Sequence, residues 1–306
     1  MYDNAYVHQI SEYHKRPKEG NYVFMKKMFF KKSWLWAIVL CMLAVFAPTR
    51  QVEAAEAGIV SFELYEDGED TCSKYDVTGD KIQDTVKVTV KNNQDDSYSG
   101  TLQVYVNGNL VFKQTREPDP IFHVNLIQLK NGKIFFDIES TILSHDACIH
   151  NLYVYSKGKL KNVYDFQEYF ANYASYYTVN IVNVSGNTLK TEVRAQFHTT
   201  GIICYNMNVA YKNGTLKRTS NTYSINYDSR TNKWTVGRTI KAYKSAGSKK
   251  LAFTLKKGNS VQLNKVVYKN NKVYFQVKRS NGKTGYIPAI RKYPYPQYFV
   301  EAQYAG

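Results

Sequence analysis

Five residues between positions 76 and 84 have the types and spacing of a calcium-binding loop. The run Asp76-Val77-Thr78-Gly79-Asp80-Lys81-Ile82-Gln83-Asp84 places oxygen-bearing side chains at its first, third, fifth and ninth positions. Calcium takes six to eight hard oxygen ligands. Ile82 is the seventh residue of the run, and its backbone carbonyl would supply a further oxygen. Asp76, Thr78, Asp80, Ile82 and Asp84 are therefore candidate ligands of one structural Ca²⁺. A second interpretation stays open, in which the run is an acidic turn whose aspartates cap backbone amides.

Hairpin patterns surround this loop and recur along the chain. The segments LQVYVNGNLV (102–111), LYVYSKGKLK (152–161) and NVAYKNGTLK (208–217) each place an Asn-Gly or Lys-Gly pair between two alternating strands. Hairpins turning at Asn131-Gly132 and Ser185-Gly186 precede the later two segments, and the acidic run precedes the first. Two-residue hairpin turns need φ > 0, which Asn and Gly tolerate. Residues 58–229 are therefore predicted to form three four-stranded antiparallel units, with a short connecting helix within residues 163–177.

The loop and its strands resemble the FG-GAP and VCBS-type repeats of β-propeller proteins. The loop of that family is roughly D-x-[DNT]-x-D-G-x-x-D, and the resemblance covers residues 76–90. It implies calcium binding by Asp76, Asp80 and Asp84, with Thr78 as a weaker ligand. The family usually has glycine at the sixth position, where this chain has Lys81. Because three units are too few for an ordinary closed ring, we expect a partial β-propeller-like or stacked arrangement.

The charge of the chain is divided between two regions. Residues 58–229 carry 16 Lys and Arg against 19 Asp and Glu, whereas residues 230–306 carry 17 Lys and Arg against the single acid Glu301. A basic surface attracts polyanions. We expect a wall teichoic acid, an anionic lipid headgroup or an acidic glycan as the partner, and we do not expect nucleic acid, because the sequence also predicts export.

The basic region resembles the bacterial SH3-like family, SH3b. The resemblance is carried by TLKKGNSVQL (254–263), VYFQVK (273–278) and NGKTGYIPA (281–289), whose Gly282, Gly285, Tyr286 and Ile287 fit a motif close to G-x-x-G-W-[IV]. It implies a small five-stranded barrel within residues 230–306 that binds cell-wall peptides or glycans without catalysis. The candidate wall-binding residues are four tyrosines and four lysines, namely Tyr243, Tyr268, Tyr274, Tyr286, Lys249, Lys250, Lys256 and Lys257. The alternative is that these lysines form a solvated surface and that the module only spaces or stabilises the chain.

The N-terminal residues predict secretion. Residues 1–24 are interpreted as a disordered leader or an over-extended gene start, and residues 25–57 as a signal peptide with basic Lys26, Lys27, Lys31 and Lys32 before an apolar stretch at 34–47. That stretch is too short for a comfortable membrane span, so no integral span is expected after cleavage. An uncleaved N-terminal anchor is the alternative. Cys72, Cys148 and Cys204 would remain, and a disulfide between the last two is left open. The predicted location is extracellular and associated with the cell wall.

An enzymatic function is the alternative to a binding protein. His145, Asp146, Cys148 and His150 lie close together in HDACIHN, and wall peptidases use a cysteine with a histidine. Such a cysteine usually sits at a helix N-terminus, and no helical pattern flanks Cys148. We therefore predict an all-β, non-catalytic protein that engages peptidoglycan or another anionic wall polymer, with a wall-modifying enzyme as the alternative.

Overall fold

The structure is a computed structural model that describes residues 56–64, 67–93, 98–117, 120–141, 147–171, 173–227, 232–290 and 294–304. The predicted leader and all but the last two residues of the predicted signal peptide lie outside these residues. The described part belongs to a compact unit spanning residues 53–306. It consists of antiparallel strands and one short helix, which confirms the all-β class.

Nine strands and the helix lie before residue 172. They are β1 (Gly58–Ser61), β2 (Glu69–Cys72), β3 (Val86–Asn93), β4 (Ser99–Val106), β5 (Asn109–Arg116), β6 (Ile121–Gln128), β7 (Ile134–Thr141), β8 (Ala147–Ser156), β9 (Lys159–Asp165) and α1 (Phe166–Ala171). Strands β2–β5 form a four-stranded sheet in chain order, which we call sheet I. Strands β1, β6, β7, β8 and β9, in that order, form sheet II. The carboxylate of Asp165 accepts a hydrogen bond from the N–H of Glu168 and so caps the predicted connecting helix.

Eleven strands follow the helix. They are β10 (Tyr176–Ser185), β11 (Thr188–Phe197), β12 (Gly201–Lys212), β13 (Thr215–Arg218), β14 (Thr222–Asn226), β15 (Lys233–Thr235), β16 (Ile240–Tyr243), β17 (Leu251–Leu255), β18 (Ser260–Lys269), β19 (Lys272–Arg279) and β20 (Thr284–Pro288). They form sheet III in the order β10-β11-β12-β14-β18-β19-β20-β16-β17, with β13 paired to β12 and β15 paired to β18.

The hairpin turns follow the local sequence closely. Asn107-Gly108, Lys157-Gly158 and Asn213-Gly214 each adopt φ near 50° and 78° between directly paired strands, as two-residue primed turns require. The turn predicted at Ser185-Gly186 is displaced by one residue, because Ser185 pairs with Thr188 and the loop is 186–187.

Sheet II is buried on both faces. Phe136 and Ile138 pack with sheet I, whereas Phe135, the next residue along β7, packs with α1 and sheet III. Phe135 and Phe136 are both fully buried, which explains the continuous apolar run at the start of this strand, since a strand covered on both sides loses the alternation of polar and apolar residues.

Strands β16–β20 form part of an open sheet. The edge of β18 opposite β19 pairs with β14 at residues 265–267 and with β15 at residues 260–262. This edge is therefore occupied, and the described strands of sheet III do not close into a barrel. Sheet III also runs across the predicted domain boundary at 229/230, although residues 228–231 themselves lie outside the described residues.

Candidate functional site

The acidic loop folds so that its carboxylates accept hydrogen bonds from its own backbone. Asp76 Oδ1 accepts from the N–H groups of Gly79 (2.6 Å) and Asp80 (3.1 Å), and Asp76 Oδ2 accepts from Lys81 N–H (2.8 Å). Asp80 Oδ1 accepts from the N–H of Ile82 at 2.8 Å. These contacts are the ones that the acidic-turn interpretation requires. The Ile82 side chain itself is 67% exposed.

Asp84 ties the loop to a neighbouring hairpin. Its side chain is buried, and Oδ2 accepts from the N–H groups of Val77 (2.6 Å) and Thr78 (2.7 Å). Oδ1 accepts from Asn107 Nδ2 at 2.6 Å and from the Thr78 hydroxyl at 3.3 Å. Because Asn107 begins the β4–β5 turn, the Asp84 carboxylate connects the loop between β2 and β3 to the turn between β4 and β5.

The backbone of the loop turns sharply at two places. Gly79 has a φ of 86° and Lys81 has a φ of 72°. The left-handed region is costly for a residue with a Cβ atom, so Lys81 is held there by its surroundings. Lys81 occupies the sixth position, where the resembled family has glycine. Among the residues that the structure describes, no group of three or more His, Cys, Asp and Glu side chains is arranged to hold a metal ion.

Three of the four candidate wall-binding tyrosines share one face of sheet III. Tyr243 pairs with Tyr286, and Tyr286 pairs with Gln276, so these side chains stand in one row across β16, β20 and β19. Tyr274 lies two residues before Gln276 and therefore points to the same side. All three tyrosine side chains are half-buried, and the Gln276 amide donates a hydrogen bond to the Tyr286 hydroxyl at 2.9 Å.

Three lysines that the sequence analysis did not single out lie on this same face. Lys265 pairs with Gln276, Lys278 lies two residues after Gln276, and Lys241 lies two residues before Tyr243. Lys241 and Lys265 are exposed and Lys278 is half-buried. We call the six residues Tyr243, Tyr274, Tyr286, Lys241, Lys265 and Lys278 the outer face. The alternation of polar and apolar residues in KVYFQVK could have indicated Lys278, but cross-strand register was needed for the other two lysines.

Tyr268 lies in the interior and has no surface to offer a ligand. It is 3% exposed, and its hydroxyl is 2.5 Å from the hydroxyl of Tyr205. The guanidinium of Arg218 lies over its ring at 4.4 Å from the centroid and over the ring of Tyr169 at 5.4 Å. Burial raises the pKa of both paired hydroxyls well above the ordinary tyrosine value, so both remain protonated. This cluster joins β12, β13 and β18, and no sequence pattern indicated it.

The four candidate lysines lie at the two ends of β17. Lys249 and Lys250 directly precede the strand, and Lys256 and Lys257 directly follow it; all four are exposed. At a rise of about 3.3 Å per residue, the two pairs are roughly 20 Å apart. The structure therefore does not gather them into one cluster.

His150 belongs to a buried ion pair on sheet II. It is 1% exposed, its Nε2 lies 2.9 Å from Asp137 Oδ1, and its ring centre is 4.6 Å from that of Phe166. Burial by itself lowers the pKa of His150, but the charge and hydrogen bond of Asp137, with the charges of Glu139 and Asp165, outweigh burial and raise it. Sequence reasoning missed Asp137 as the partner, because the pairing of β7 with β8 brings it there.

The other predicted members of the HDACIHN cluster are not among the described side chains. His145 and Asp146 lie outside the described residues, as does the side chain of Cys148, so the open question of a disulfide with Cys204 stays a prediction. His150 and Asp137, enclosed by Phe166, have the surroundings of a structural ion pair.

Comparison of the chain with protein-family models, with curated proteins and with solved structures finds no match. Among the helices that the structure describes, none is long and apolar enough to cross a membrane.

Proposed function

We propose that the protein is a secreted, non-catalytic binding protein of the cell wall or cell surface. In this proposal the outer face tethers the chain to peptidoglycan or to another anionic wall polymer. The observation that carries it is the composition of the outer face, on which three tyrosine rings and three lysines lie together without a carboxylate.

Charge and shape of the outer face both suit a long polyanion. No Asp or Glu occurs from residue 230 to residue 300, so the strands that carry the outer face bring no carboxylate of their own to offset its lysines. Tyrosine rings supply rigid, partly apolar contact area with a polar tip, which suits sugar rings as well as polymer backbones. The outer face lies on paired strands, so little conformational entropy is lost when a polymer binds.

The proposal includes an SH3-like origin for the predicted domain, residues 230–306. Two glycines of the resembled motif have a physical requirement in this structure. Gly282 has a φ of 80°, and a Cβ at Gly285 would lie 2.9 Å from that of Ala242 and 3.0 Å from the Phe253 ring. These requirements support the resemblance. We likewise propose that the three consecutive meanders β2–β5, β6–β9 and β10–β13 are units of a partial propeller, which is supported by their order and by the packing of sheet II between the other two sheets.

We also propose that the acidic loop takes up one structural Ca²⁺ through Asp76, Thr78, Asp80, Ile82 and Asp84. The left-handed turn at Lys81 supports this, since calcium loops turn sharply at their sixth position. Titration calorimetry with Ca²⁺ tests it, with Asp80→Ala as the control. Among the described residues, the Asp80 side chain accepts one hydrogen bond, from Ile82 N–H, so its loss removes a candidate ligand at little structural cost. Absence of heat and of any rise in melting temperature would leave the acidic-turn interpretation standing.

Retention on purified cell walls tests the tether. The variant Lys241→Gln/Lys265→Gln/Lys278→Gln removes three charges from the outer face. Each charge is worth about 1 kcal/mol at 4 Å in water, so binding should weaken roughly 100-fold at low salt. Wild-type binding should also fall between 0.1 M and 1 M salt, where the screening length shrinks from about 10 Å to about 3 Å.

A matched control separates the outer face from net charge. The variant Lys159→Gln/Lys161→Gln/Lys190→Gln removes the same number of positive charges, but from exposed positions of β9 and β11. Equal retention of the two triple variants would refute the tether. Walls stripped of phosphodiester polymers distinguish peptidoglycan from teichoic acid as the partner. Release of wall fragments by the wild type that disappears in Cys148→Ala would instead establish the enzymatic alternative.

A further inference from the structure

A cleft of about 360 Å³ opens where the C-terminal segment, residues 294–304, crosses from β15 to β12. Its walls come from the start of β12, the end of β14, β15 and residues 301–303. The C-terminal segment is fixed at both ends of this crossing. Val300 N–H donates to the carbonyl of Thr235, and Ile202 N–H donates to the carbonyl of Gln303. The volume falls within the range of small-molecule pockets, which is about 300–1,000 Å³.

The cleft combines apolar walls with two opposite charges. Ile202, Ile225 and Trp234 supply apolar surface, and Lys233 and Glu301 are the charged residues among its lining. Trp234 is held in place by its Nε1–H, which donates to the hydroxyl of Tyr227 at 3.3 Å. The walls are therefore preformed, because the indole cannot turn without losing this bond.

Glu301 is the single acidic side chain of residues 230–306, which also contain 17 Lys and Arg. Its Oε2 accepts from Thr235 N–H at 2.8 Å, which fixes the direction of the carboxylate. Among the described residues no basic group, Lys233 included, forms an ion pair with Glu301. With respect to the described residues, the second carboxylate oxygen of Glu301 is therefore available to a cationic group of a ligand.

We infer that this cleft binds a small zwitterion of the amino-acid type with an apolar side chain. Glu301 accepts from the ligand's ammonium group, Lys233 donates to its carboxylate, and the side chain lies against Ile202, Ile225 and Trp234. A free amino acid and a short peptide with free termini share this chemistry. The inference is independent of the wall tether, since neither Glu301 nor Trp234 belongs to the outer face.

Titration calorimetry of the whole chain with L-leucine and with leucyl-leucine tests the inference, and the tighter of the two identifies the source of the ligand. Three further probes each remove one recognised group. N-acetyl-leucine lacks the ammonium, leucinamide lacks the carboxylate, and glycine lacks the side chain. A charged hydrogen bond or a buried leucine side chain contributes enough that each probe should bind at least about tenfold more weakly.

Variants of the two charged residues should lose affinity in a matching pattern. Glu301→Gln keeps an acceptor for Thr235 N–H but should weaken leucine at least about tenfold, while binding of N-acetyl-leucine stays unchanged. Lys233→Met should also weaken the binding of leucine at least about tenfold, while binding of leucinamide stays unchanged. The controls Glu192→Gln and Lys190→Met alter exposed residues of β11 outside the cleft and should leave all affinities at the wild-type value.

Two results would overturn the inference. One is the absence of heat with leucine and leucyl-leucine at millimolar concentration in a protein whose melting curve is that of the folded chain. The other is binding that is equally strong for N-acetyl-leucine or in Glu301→Gln. Wall retention of Glu301→Gln, measured alongside, should equal that of the wild type, so failure of the cleft and failure of the tether are distinguishable.

Discussion

Removal of the Asp84 carboxylate should destabilise the fold even where no calcium is present. The side chain is 1% exposed, and it accepts from two backbone N–H groups and from the Asn107 amide. A hydrogen bond to a charged group contributes about 1.5–3 kcal/mol, but water can partly replace the carboxylate at the two loop amides. We therefore expect Asp84→Ala to lower the free energy of unfolding by about 3–4 kcal/mol. For a unit of this size, that lowers the Tm by roughly 6–16 °C.

A double-mutant cycle measures the bond that ties the loop to the hairpin. Asn107→Gly is the matched partner variant, because Asn107 has a φ of 50° and glycine keeps that turn. Urea unfolding of the wild type, Asp84→Ala, Asn107→Gly and the double variant should give a coupling energy of about 1.5–3 kcal/mol. Asp80→Ala serves as the control and should change stability by less than about 0.5 kcal/mol, since its exposed carboxylate makes one bond within the loop.

A coupling energy near zero would refute this reasoning, because the two side chains would then contribute independently. The same conclusion would follow if Asp80→Ala were as destabilising as Asp84→Ala. Either result would mean that the loop is held by something other than the buried carboxylate.

Three further changes test other parts of the fold. Burial lowers the pKa of His150, but Asp137 outweighs burial and raises it above the ordinary value of 6.5. The contribution of His150 to stability is therefore complete below pH 6.5 and is lost as pH rises through the raised pKa. Urea midpoints measured from pH 6 to 9 should fall more for the wild type than for His150→Asn. Tyr268→Phe leaves the hydroxyl of Tyr205 buried without its partner and should cost about 1–3 kcal/mol in thermal unfolding, whereas no change would show that this bond is dispensable. Gly201→Ala places a Cβ 2.2 Å from the carbonyl oxygen of the C-terminal segment at a φ of 68°, so calorimetry should show a clearly lower Tm, and the effect should shrink once residues 294–306 are deleted.

Local hairpins were predictable because their determinants lie within a few residues. The pairs Asn107-Gly108 and Asn213-Gly214 turn as expected, since the steric cost of a positive φ selects Asn and Gly at such positions. The turn at 186–187 was displaced by one residue because the pairing of Ser185 with Thr188 depends on how the two long strands align. Alternation within a strand partly predicted that the three candidate tyrosines would lie on one face. Tyr268 also lies on an alternating strand, but its side chain points into the core, so alternation alone did not show which tyrosines face outward.

Side-chain partners on different strands were not predictable from spacing. Asp137 meets His150 through the register between the consecutive strands β7 and β8. Arg218 of β13 meets Tyr268 of β18 only after both strands have joined sheet III. The open form of sheet III has the same origin. The repeat pattern indicates the three four-stranded units, but not that β14 will take the edge of β18 that a barrel would need.

By itself the sequence determined the all-β class, the positions of the Asn-Gly and Lys-Gly turns, the uneven charge and the types of residue available for binding, because each depends on local sterics or composition. Only the tertiary structure decided which residues share a face, which carboxylate is buried and where a cleft opens. Those properties depend on the register between strands, where a shift of one residue exchanges the two faces of a sheet. The acidic loop shows both levels, since its spacing named the carboxylates and the fold assigned Asp84 alone to the interior.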